Sequence, residues 1–173
     1  MELTAARLRE VLDYDPETGV FRWRERKNKN GDGRGLWKLK RDVGTYSMKG
    51  YLTVEIGGRN YQSHRLAWLH VTGKWPKDQI DHINGIRDDN RFLNLREATA
   101  FENTRNAKAK KNNKTGLKGV SRRQRISGTF VFVARIHLEN KRVHLGCFKT
   151  AEEASRAYIE SARKHFGEFA RLT

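Results

Sequence analysis

A short stretch rich in lysine and asparagine divides this chain into two parts that must fold separately. Residues 107–116 read AKAKKNNKTG and contain four lysines and no apolar side chain larger than alanine. Such a segment buries too little apolar surface to offset the entropy lost on ordering, so it is typical of a linker. The chain has 173 residues, which leaves two small domains with compact cores. We predict domains at 1–106 and 117–173, joined by a basic linker at 107–116.

The charge of the chain favours a polyanionic partner. Lysine and arginine number 36 against 20 aspartates and glutamates, which gives a net charge of +16 and a pI of about 10.3. A nucleic acid or an anionic membrane would suit this charge. Because the sequence has no apolar run of about 18 residues and no strongly amphipathic basic helix, we expect double-stranded DNA and not a membrane.

The single cysteine, Cys147, excludes an internal disulfide framework and any zinc site built on paired cysteines. The N-terminal stretch MELTAARLREVL has acidic residues and no long apolar run, so it does not resemble a secretory signal. We therefore expect a cytoplasmic protein in a bacterial or phage-infected cell, without structural zinc.

The first part predicts a mixed α+β domain. Leu8, Val11 and Leu12 follow Thr4 at helical spacing, which predicts a short helix with Thr4 as its N-cap. The alternation in VFRWRER predicts a half-exposed strand, and YLTVEIGGRNYQ predicts a hairpin turning at Gly57 and Gly58. The stretch SHRLAWL, beginning at Ser63, then predicts a short helix. We expect His64 in that helix to be a buried, hydrogen-bonded structural residue, and a role near a reacting phosphate is the second reading.

Residues 79–106 predict a strand, a polar loop, a second strand and a helix. QIDHI and NLREA are the strands, and Thr99 with Glu102 has the spacing of a capping box. In such a unit Asp81 on the first strand and Asn103 on the helix converge. A carboxylate and an amide oxygen suit one Mg²⁺ or Mn²⁺ that keeps waters and takes further oxygens from a phosphate.

His82 follows Asp81 directly, so a regular strand would direct the two side chains to opposite faces, and only a twist or bulge would bring them together. An imidazole with an ordinary pKa of about 6.5 is suited to deprotonate water for attack on phosphorus. The alternative is that these residues form a structural hydrogen-bond network, because the sequence Asp–His–x–Asn–Gly is also common in loops. For Asn94 we favour such a structural role, in which its side-chain amide holds the loop closed. Nearby arginines are candidates for phosphate contacts: Arg65, Arg87, Arg96 and Arg105.

The combination SHRLAWLHVTG…IDHINGIRDDNRFLNLREATAFENTRN resembles the HNH endonucleases of the intron- and phage-encoded homing type over roughly residues 3–106. The resemblance implies a ββα-metal fold at about 79–106 in which Asp81 and Asn103 bind the ion, His82 is the general base and Asn94 ties the loop. It also implies that Asp81 and His82 reach one phosphate. Asn103 stands in the third position of the motif, as in its Asn-ending variant, and Asn106 is the alternative ligand.

The second part predicts a three-stranded antiparallel sheet packed on one helix. In TFVFVARIHL the residues Phe130, Phe132, Ala134, Ile136 and Leu138 alternate with a second set, Val131, Val133, Arg135 and His137. Val143, Leu145 and Cys147 are assigned to the first face, and Arg142 and His144 to the second. The helix TAEEASRAYIESARKHF offers small residues that cover the first face, so we predict a free cationic face that enters a DNA groove. A solvated polar face is the alternative.

A Gly-Val start, a Leu-Gly-x-Phe strand end and a Thr-Ala-Glu-Glu-Ala helix start occur in the second part. With these motifs, residues 116–172 resemble the plant ethylene-response-factor (APETALA-type) DNA-binding domain. The resemblance implies that the groove is contacted by Ser121, Arg123, Arg125, Arg135, His137, Arg142 and His144, with Arg122 also in the basic strands. The chain differs from the plant pattern at Ser121, Arg125 and His144, so the plant target sequence does not transfer.

Together these features predict a metal-dependent DNA endonuclease that nicks as a monomer, or cuts both strands as a transient dimer on DNA. The first alternative is a sequence-specific DNA-binding protein on a degenerate nuclease fold. An RNA-directed protein is the second alternative, which the lack of an aromatic stacking pair on the cationic face disfavours.

Overall fold

The computed structural model describes residues 2–24, 43–107, 109, 112–138 and 141–171. The chain divides into two compact units, Met1–Ala100 and Phe101–Thr173. Three lysines of the predicted linker, Lys108, Lys110 and Lys111, lie outside the described residues, and the domain boundaries proposed from composition stay a prediction. Across the described part of the chain, no helix is long and apolar enough to cross a membrane.

The N-terminal segment forms a helix followed by a hairpin. Helix α1 spans Ala5–Val11, and strands β1 (Leu12–Tyr14) and β2 (Phe21–Trp23) pair antiparallel. The Thr4 hydroxyl accepts a hydrogen bond from the Arg7 amide at 3.2 Å, which confirms the predicted N-cap. Leu8 and Leu12 are fully buried because the apolar side of this segment faces the core of the first unit.

A small sheet and a helix follow. Strands β3 (Thr45–Tyr46), β4 (Leu52–Ile56) and β5 (Arg59–Gln62) form an antiparallel sheet in chain order. The turn between β4 and β5 uses Gly57 and Gly58 at φ values of 59° and 76°, where a side chain would be strained. Helix α2 spans Ser63–Thr72 and packs on β4 and β5. The predicted hairpin and helix are confirmed.

The next elements appear in the predicted order of strand, loop, strand and helix. Strands β6 (Gln79–His82) and β7 (Leu95–Ala98) pair antiparallel, a 3-10 turn at Phe92–Asn94 precedes β7, and helix α3 spans Ala100–Asn106. Ile80 and Leu95 join the core of the first unit, which fixes the hairpin to the rest of that unit.

The second unit contains the predicted three-stranded sheet and helix. Strands β8 (Val120–Gln124), β9 (Phe130–Leu138) and β10 (Lys141–Phe148) are antiparallel with β9 central. Helix α4 spans Ala151–Phe166, opens with a capping box between Thr150 and Glu153, and is followed by a 3-10 turn at Gly167–Phe169. Ala154 and Ala162 are fully buried, so small side chains let α4 lie close on the sheet, as predicted.

The face assigned to Cys147 was wrong. The β9–β10 register shifts between His144 and Gly146, and Cys147 then lies opposite Val133. Residues directly opposite share a face, so Cys147 lies on the face away from α4, with its sulfur 3.8 Å from His144 Nε2. A bulge inserts one extra residue into a strand and reverses the alternation beyond it. Sequence alternation alone does not reveal the bulge.

The face away from α4 is also less open than predicted. Val131 and Val133 lie on it but are only 9% and 1% exposed. Neither belongs to the clusters that contain Ile136, Ala134 and the buried side of α4. The sheet therefore buries apolar side chains on both faces, and the cationic residues surround a covered apolar patch.

Gly119 should tolerate no side chain. At φ 74° an added Cβ would lie 2.0 Å from Tyr158 Cδ2 and 2.8 Å from the Arg135 carbonyl oxygen. We expect Gly119→Ala to destabilise the second unit by about 3 kcal/mol, because the ring and the backbone must both move. Gly128→Ala is the matched control, since its φ is 82° and no atom lies within 4 Å; it should cost about 1 kcal/mol. Hydrogen exchange of the β9 amides measures both, and equal costs would contradict the prediction.

His64, at the start of α2, is 4% exposed. Its ring lies near Tyr51 and His82, with centroid distances of 5.2 and 5.0 Å. The expected burial is confirmed, but among the described residues its Nδ1 has no hydrogen-bond partner. Burial lowers the pKa of His64 to about 3, with smaller contributions from His82 and Arg65. The folded protein therefore holds this imidazole neutral over most of the acidic range.

Buried His64 should make the fold less stable in acid. The unfolded chain binds a proton here below about pH 6.5, whereas the folded chain does so only near pH 3. The free energy of unfolding should therefore fall as pH drops from about 6.5 towards 3. Urea unfolding of His64→Gln should show a shallower fall over this range than the wild type, and identical slopes would refute the prediction. Part of the slope should persist in the variant, because burial also lowers the pKa of His70 and of His82.

Candidate active site and nucleic-acid interface

Asp81 is a buried carboxylate held by an arginine. Asp81 is 3% exposed, and the β6–β7 register places Arg96 directly opposite Asp81. Arg96 donates to Asp81 Oδ2 from Nε at 3.0 Å and from Nη2 at 2.7 Å. Arg96 was a candidate for phosphate contact, but in this structure it bonds the carboxylate. Two hydrogen bonds from this partner keep the buried carboxylate in a fixed orientation.

His82 is buried beside Asp81, at 5% exposure. Its Nε2 lies 3.3 Å from Asn90 Oδ1, and its ring meets the His64 ring edge-on, at an interplanar angle of 80°. Burial lowers the pKa of His82, although the Asn90 contact and the charge of Asp81 oppose the shift. The imidazole is therefore neutral near pH 7 and can accept a proton.

The β6–β7 ladder runs from Gln79 to His82 without a register shift. The bulge that would turn Asp81 and His82 towards one face is therefore not found between Gln79 and His82, and a twist of the strand is the remaining way to bring both side chains to one phosphate. The Asp81 charge still raises the pKa of His82, so the two groups interact electrostatically.

Asn94 closes the loop between the two strands. Its Oδ1 accepts a hydrogen bond from the Asn84 amide at 3.0 Å, and its Nδ2 donates to the Asp89 carbonyl at 2.8 Å. The backbone continues the pairing, because the Ile83 amide donates to the Asn94 carbonyl at 2.9 Å. The predicted structural role of the Asn94 amide is confirmed, while a direct catalytic role stays a prediction.

Asp89 adds a second set of bonds inside the loop. Its carboxylate accepts from Arg91 Nε at 2.8 Å, from Arg91 Nη2 at 2.6 Å, and from Asn84 Nδ2 at 2.6 Å. The Arg91 hydrogen bonds are the main cause that lowers the pKa of Asp89 to about 2. The loop is thus cross-linked by side chains at both ends, which holds the backbone after His82 in one conformation.

Asn90 is the residue of this site that the sequence did not reveal. It is 1% exposed, its side chain contacts His82, and its carbonyl accepts a hydrogen bond from the Tyr14 hydroxyl at 2.7 Å. In the sequence Asn90 belongs to a run of aspartate and asparagine that is typical of an exposed turn. Burial of one member of that run has no sequence signal.

The predicted metal ligands lie in different units. Asp81 belongs to the first unit, and Asn103 and Asn106 lie in α3, within Phe101–Thr173. Asn103 is partly buried, and Asn106 is 7% exposed, so both candidates stay open. In the described ranges no cluster of three or more His, Cys, Asp or Glu could hold a metal. One carboxylate and one amide oxygen are the donor types that Mg²⁺ or Mn²⁺ accepts when it keeps most of its waters, and the metal site itself stays a prediction.

Arg105 is placed differently from the prediction of a DNA contact. Its guanidinium carbon lies 3.8 Å from the ring centre of Phe101 and 4.3 Å from that of Phe166. Lys118 Nζ donates to the Arg105 carbonyl, and Arg105 Nε is buried without a hydrogen-bond partner among the described residues. Arg105 therefore contacts two aromatic rings of the second unit.

The sheet of the second unit brings most of the predicted DNA contacts onto one face. By register, Ser121 and Arg123 pair with valines of β9, His144 pairs with Arg135, and Arg142 pairs with His137. Arg142 Nε donates to His137 Nε2 at 3.1 Å. We call this set the cationic face: Ser121, Arg123, Arg135, His137, Arg142 and His144.

Of the two further arginines predicted to contact DNA, Arg122 lies on the opposite side of the sheet and Arg125 lies beyond the end of β8. Arg122 pairs with Phe132 on the opposite side, and its guanidinium carbon lies 4.4 Å from the Phe130 ring centre. Arg125 follows β8 in the turn to β9, where its amide donates to the Thr129 carbonyl at 2.8 Å. The alternation of β8 explains the position of Arg122, because adjacent residues project to opposite sides. The strand ends at Gln124, and the contact of Arg125 with DNA stays a prediction.

Comparison with known proteins gives one family match. A sequence model described as HNH endonuclease matches residues 61–105. This segment runs from β5 into α3 and includes Asp81, His82, Asn94 and Asn103. No curated protein and no solved structure matches the chain. Residues 61–105 are thus similar to the HNH endonucleases, and the match supports a nuclease.

Proposed function

We propose that this protein is a metal-dependent, site-specific DNA endonuclease of the HNH homing type that nicks DNA as a monomer. The observation that carries the proposal is the buried imidazole of His82, kept neutral beside the Asp81 side chain inside the segment that matches the family. A neutral imidazole accepts a proton at physiological pH, which is the requirement for a general base.

In this reaction His82 takes a proton from a water molecule whose oxygen attacks phosphorus. The new phosphorus–oxygen bond forms as the bond to the leaving sugar oxygen breaks, and that oxygen is then protonated by solvent. Asp81, with Asn103 or Asn106, would hold one Mg²⁺ or Mn²⁺. Such an ion supplies Lewis acidity that stabilises negative charge on the leaving oxygen. Arg96 keeps the Asp81 carboxylate oriented.

The cationic face is proposed to supply DNA affinity and target choice. Three arginines and two histidines share this face by register, and the net charge of +16 attracts a polyanion over a long range. Arginine on a sheet in the major groove can pair with guanine edges while its neighbours contact phosphates. This use of a sheet is what the resemblance to the ethylene-response-factor domain implies.

One observation favours a second function, sequence-specific DNA binding without cleavage. Arg96 donates two hydrogen bonds to one oxygen of Asp81, and a carboxylate neutralised by arginine has less need of a metal ion. In that case the nuclease fold would serve only as a scaffold. Cleavage assays with metal separate the two functions.

The proposed base is tested by supercoiled plasmid relaxation. With Mg²⁺ or Mn²⁺ and a library of plasmid inserts, wild type should produce nicked circles, and EDTA should abolish them. His82→Ala should lower the rate by at least about 100-fold, since it removes general-base catalysis. His165→Ala, an exposed histidine of α4, is the matched control and should nick at the wild-type rate. Wild type that binds the library but never relaxes it would support the binding function instead.

The cationic face is tested by the salt dependence of DNA binding. Arg123→Gln should weaken affinity for DNA and reduce the slope of log K against log salt by about 1, as expected for the loss of one phosphate contact. Arg156→Gln removes the same charge from an exposed position of α4 and should leave the slope nearly unchanged. Equal effects of the two variants would show that only net charge matters.

A further inference from the structure

Asn90 has the burial and the contacts of a residue that orients the base. Its side chain is almost completely enclosed, at 1% exposure, beside a histidine at 5%. Buried polar groups keep their hydrogen bonds because losing one inside the protein is costly. The contact between Asn90 Oδ1 and His82 Nε2, 3.3 Å long, is therefore a restraint on the ring.

The direction of this hydrogen bond follows from the other end of the amide. Asn90 Nδ2 donates to the Asp88 carbonyl at 3.2 Å, so the carboxamide presents its oxygen to the histidine. A carboxamide oxygen only accepts hydrogen bonds. The proton of the neutral imidazole must then reside on Nε2, which makes Nδ1 the unprotonated nitrogen.

The N-terminal hairpin holds Asn90 in place. The Tyr14 hydroxyl donates to the Asn90 carbonyl at 2.7 Å, and the Phe92 amide donates to the Pro16 carbonyl at 2.9 Å. Gly19, at φ 74°, lies against the peptide between Asn90 and Arg91, where an added Cβ would be 2.5 Å from the Asn90 carbonyl carbon. These three contacts come from residues that precede the segment matching the nuclease family.

We propose that Asn90 is a positioning residue that fixes the tautomer of His82, and that the hairpin of β1 and β2 forms the support of Asn90. The inference rests on the proposed function, in which His82 accepts a proton from water. With Nε2 committed to Asn90, Nδ1 is the atom that takes this proton. The N-terminal hairpin thus contributes to catalysis without touching the substrate.

The tautomer can be measured in the resting protein, without metal or DNA. ¹⁵N NMR of histidine-labelled protein distinguishes the two neutral tautomers, and the signal missing from His82→Ala identifies His82. Wild type should carry the proton on Nε2, and Asn90→Leu, which is similar in size but offers no acceptor, should show averaging between tautomers. A proton on Nδ1 in wild type, or an unchanged tautomer in Asn90→Leu, would overturn the proposal.

Kinetics give the second readout. Asn90→Leu should lower kcat for plasmid nicking by about 100-fold, the usual cost of a misplaced reacting group, while KM for DNA stays within about twofold. Asn90→Asp keeps an acceptor for Nε2 and should recover much of the lost rate. Asn60→Leu, at an exposed position of β5, is the control and should match wild type. A change in KM alone would show that Asn90 serves DNA binding and not the base.

A conservative variant covers the case in which Asn90→Leu does not fold. Tyr14→Phe removes only the hydroxyl that bonds the Asn90 carbonyl, and it should lower kcat several-fold and broaden the His82 tautomer signal. If both quantities equal those of wild type, the support by the hairpin is refuted. Failure of the proposed function is a separate result, because His82→Ala would then nick as well as wild type whatever the tautomer.

Discussion

The site depends on the hydrogen bonds that the loop from Ile83 to Asn94 makes with itself. An irregular segment that is partly buried must find partners for its backbone polar groups. Here the amide of Asn94 bonds the backbone on both sides of the loop, and the Asp89 carboxylate joins Asn84 to Arg91. Backbone hydrogen bonds between β6 and β7 end at His82, and these side-chain bonds take their place. The backbone that follows the histidine is therefore held in a defined conformation.

Burial then sets the chemistry of the histidine. A charged imidazole is disfavoured where water is excluded, which lowers the pKa of His82 and lowers that of neighbouring His64 to about 3. Two adjacent neutral rings can pack edge to face without repulsion. The same burial that weakens the fold in acid therefore provides an unprotonated nitrogen at neutral pH.

Local signals in the sequence predicted the elements well. Thr4 before α1 marks an element boundary by a local hydrogen bond, and Gly57 with Gly58 between β4 and β5 marks one by backbone conformation. The role of the Asn94 amide was predictable because its hydrogen-bond partners lie close to it in the sequence. Asn90 was not predictable, since its burial depends on Tyr14 and Gly19, which are distant in sequence. The bulge before Cys147 and the stacking of Arg105 were not predicted either, because both depend on residues that are distant in sequence.

The packing of Arg105 determines where this protein can be truncated. Composition suggests a truncation in the basic stretch after Asn106. However, Arg105 of α3 contacts the ring of Phe166, which belongs to the unit that begins at Phe101. A fragment ending at residue 106 would keep the whole nuclease motif and lose the ring that stacks on Arg105. Its last helix is short, and short helices in water depend on tertiary contacts. A shortened version of this protein should therefore retain the second unit, or replace Phe166 with another aromatic residue that contacts Arg105.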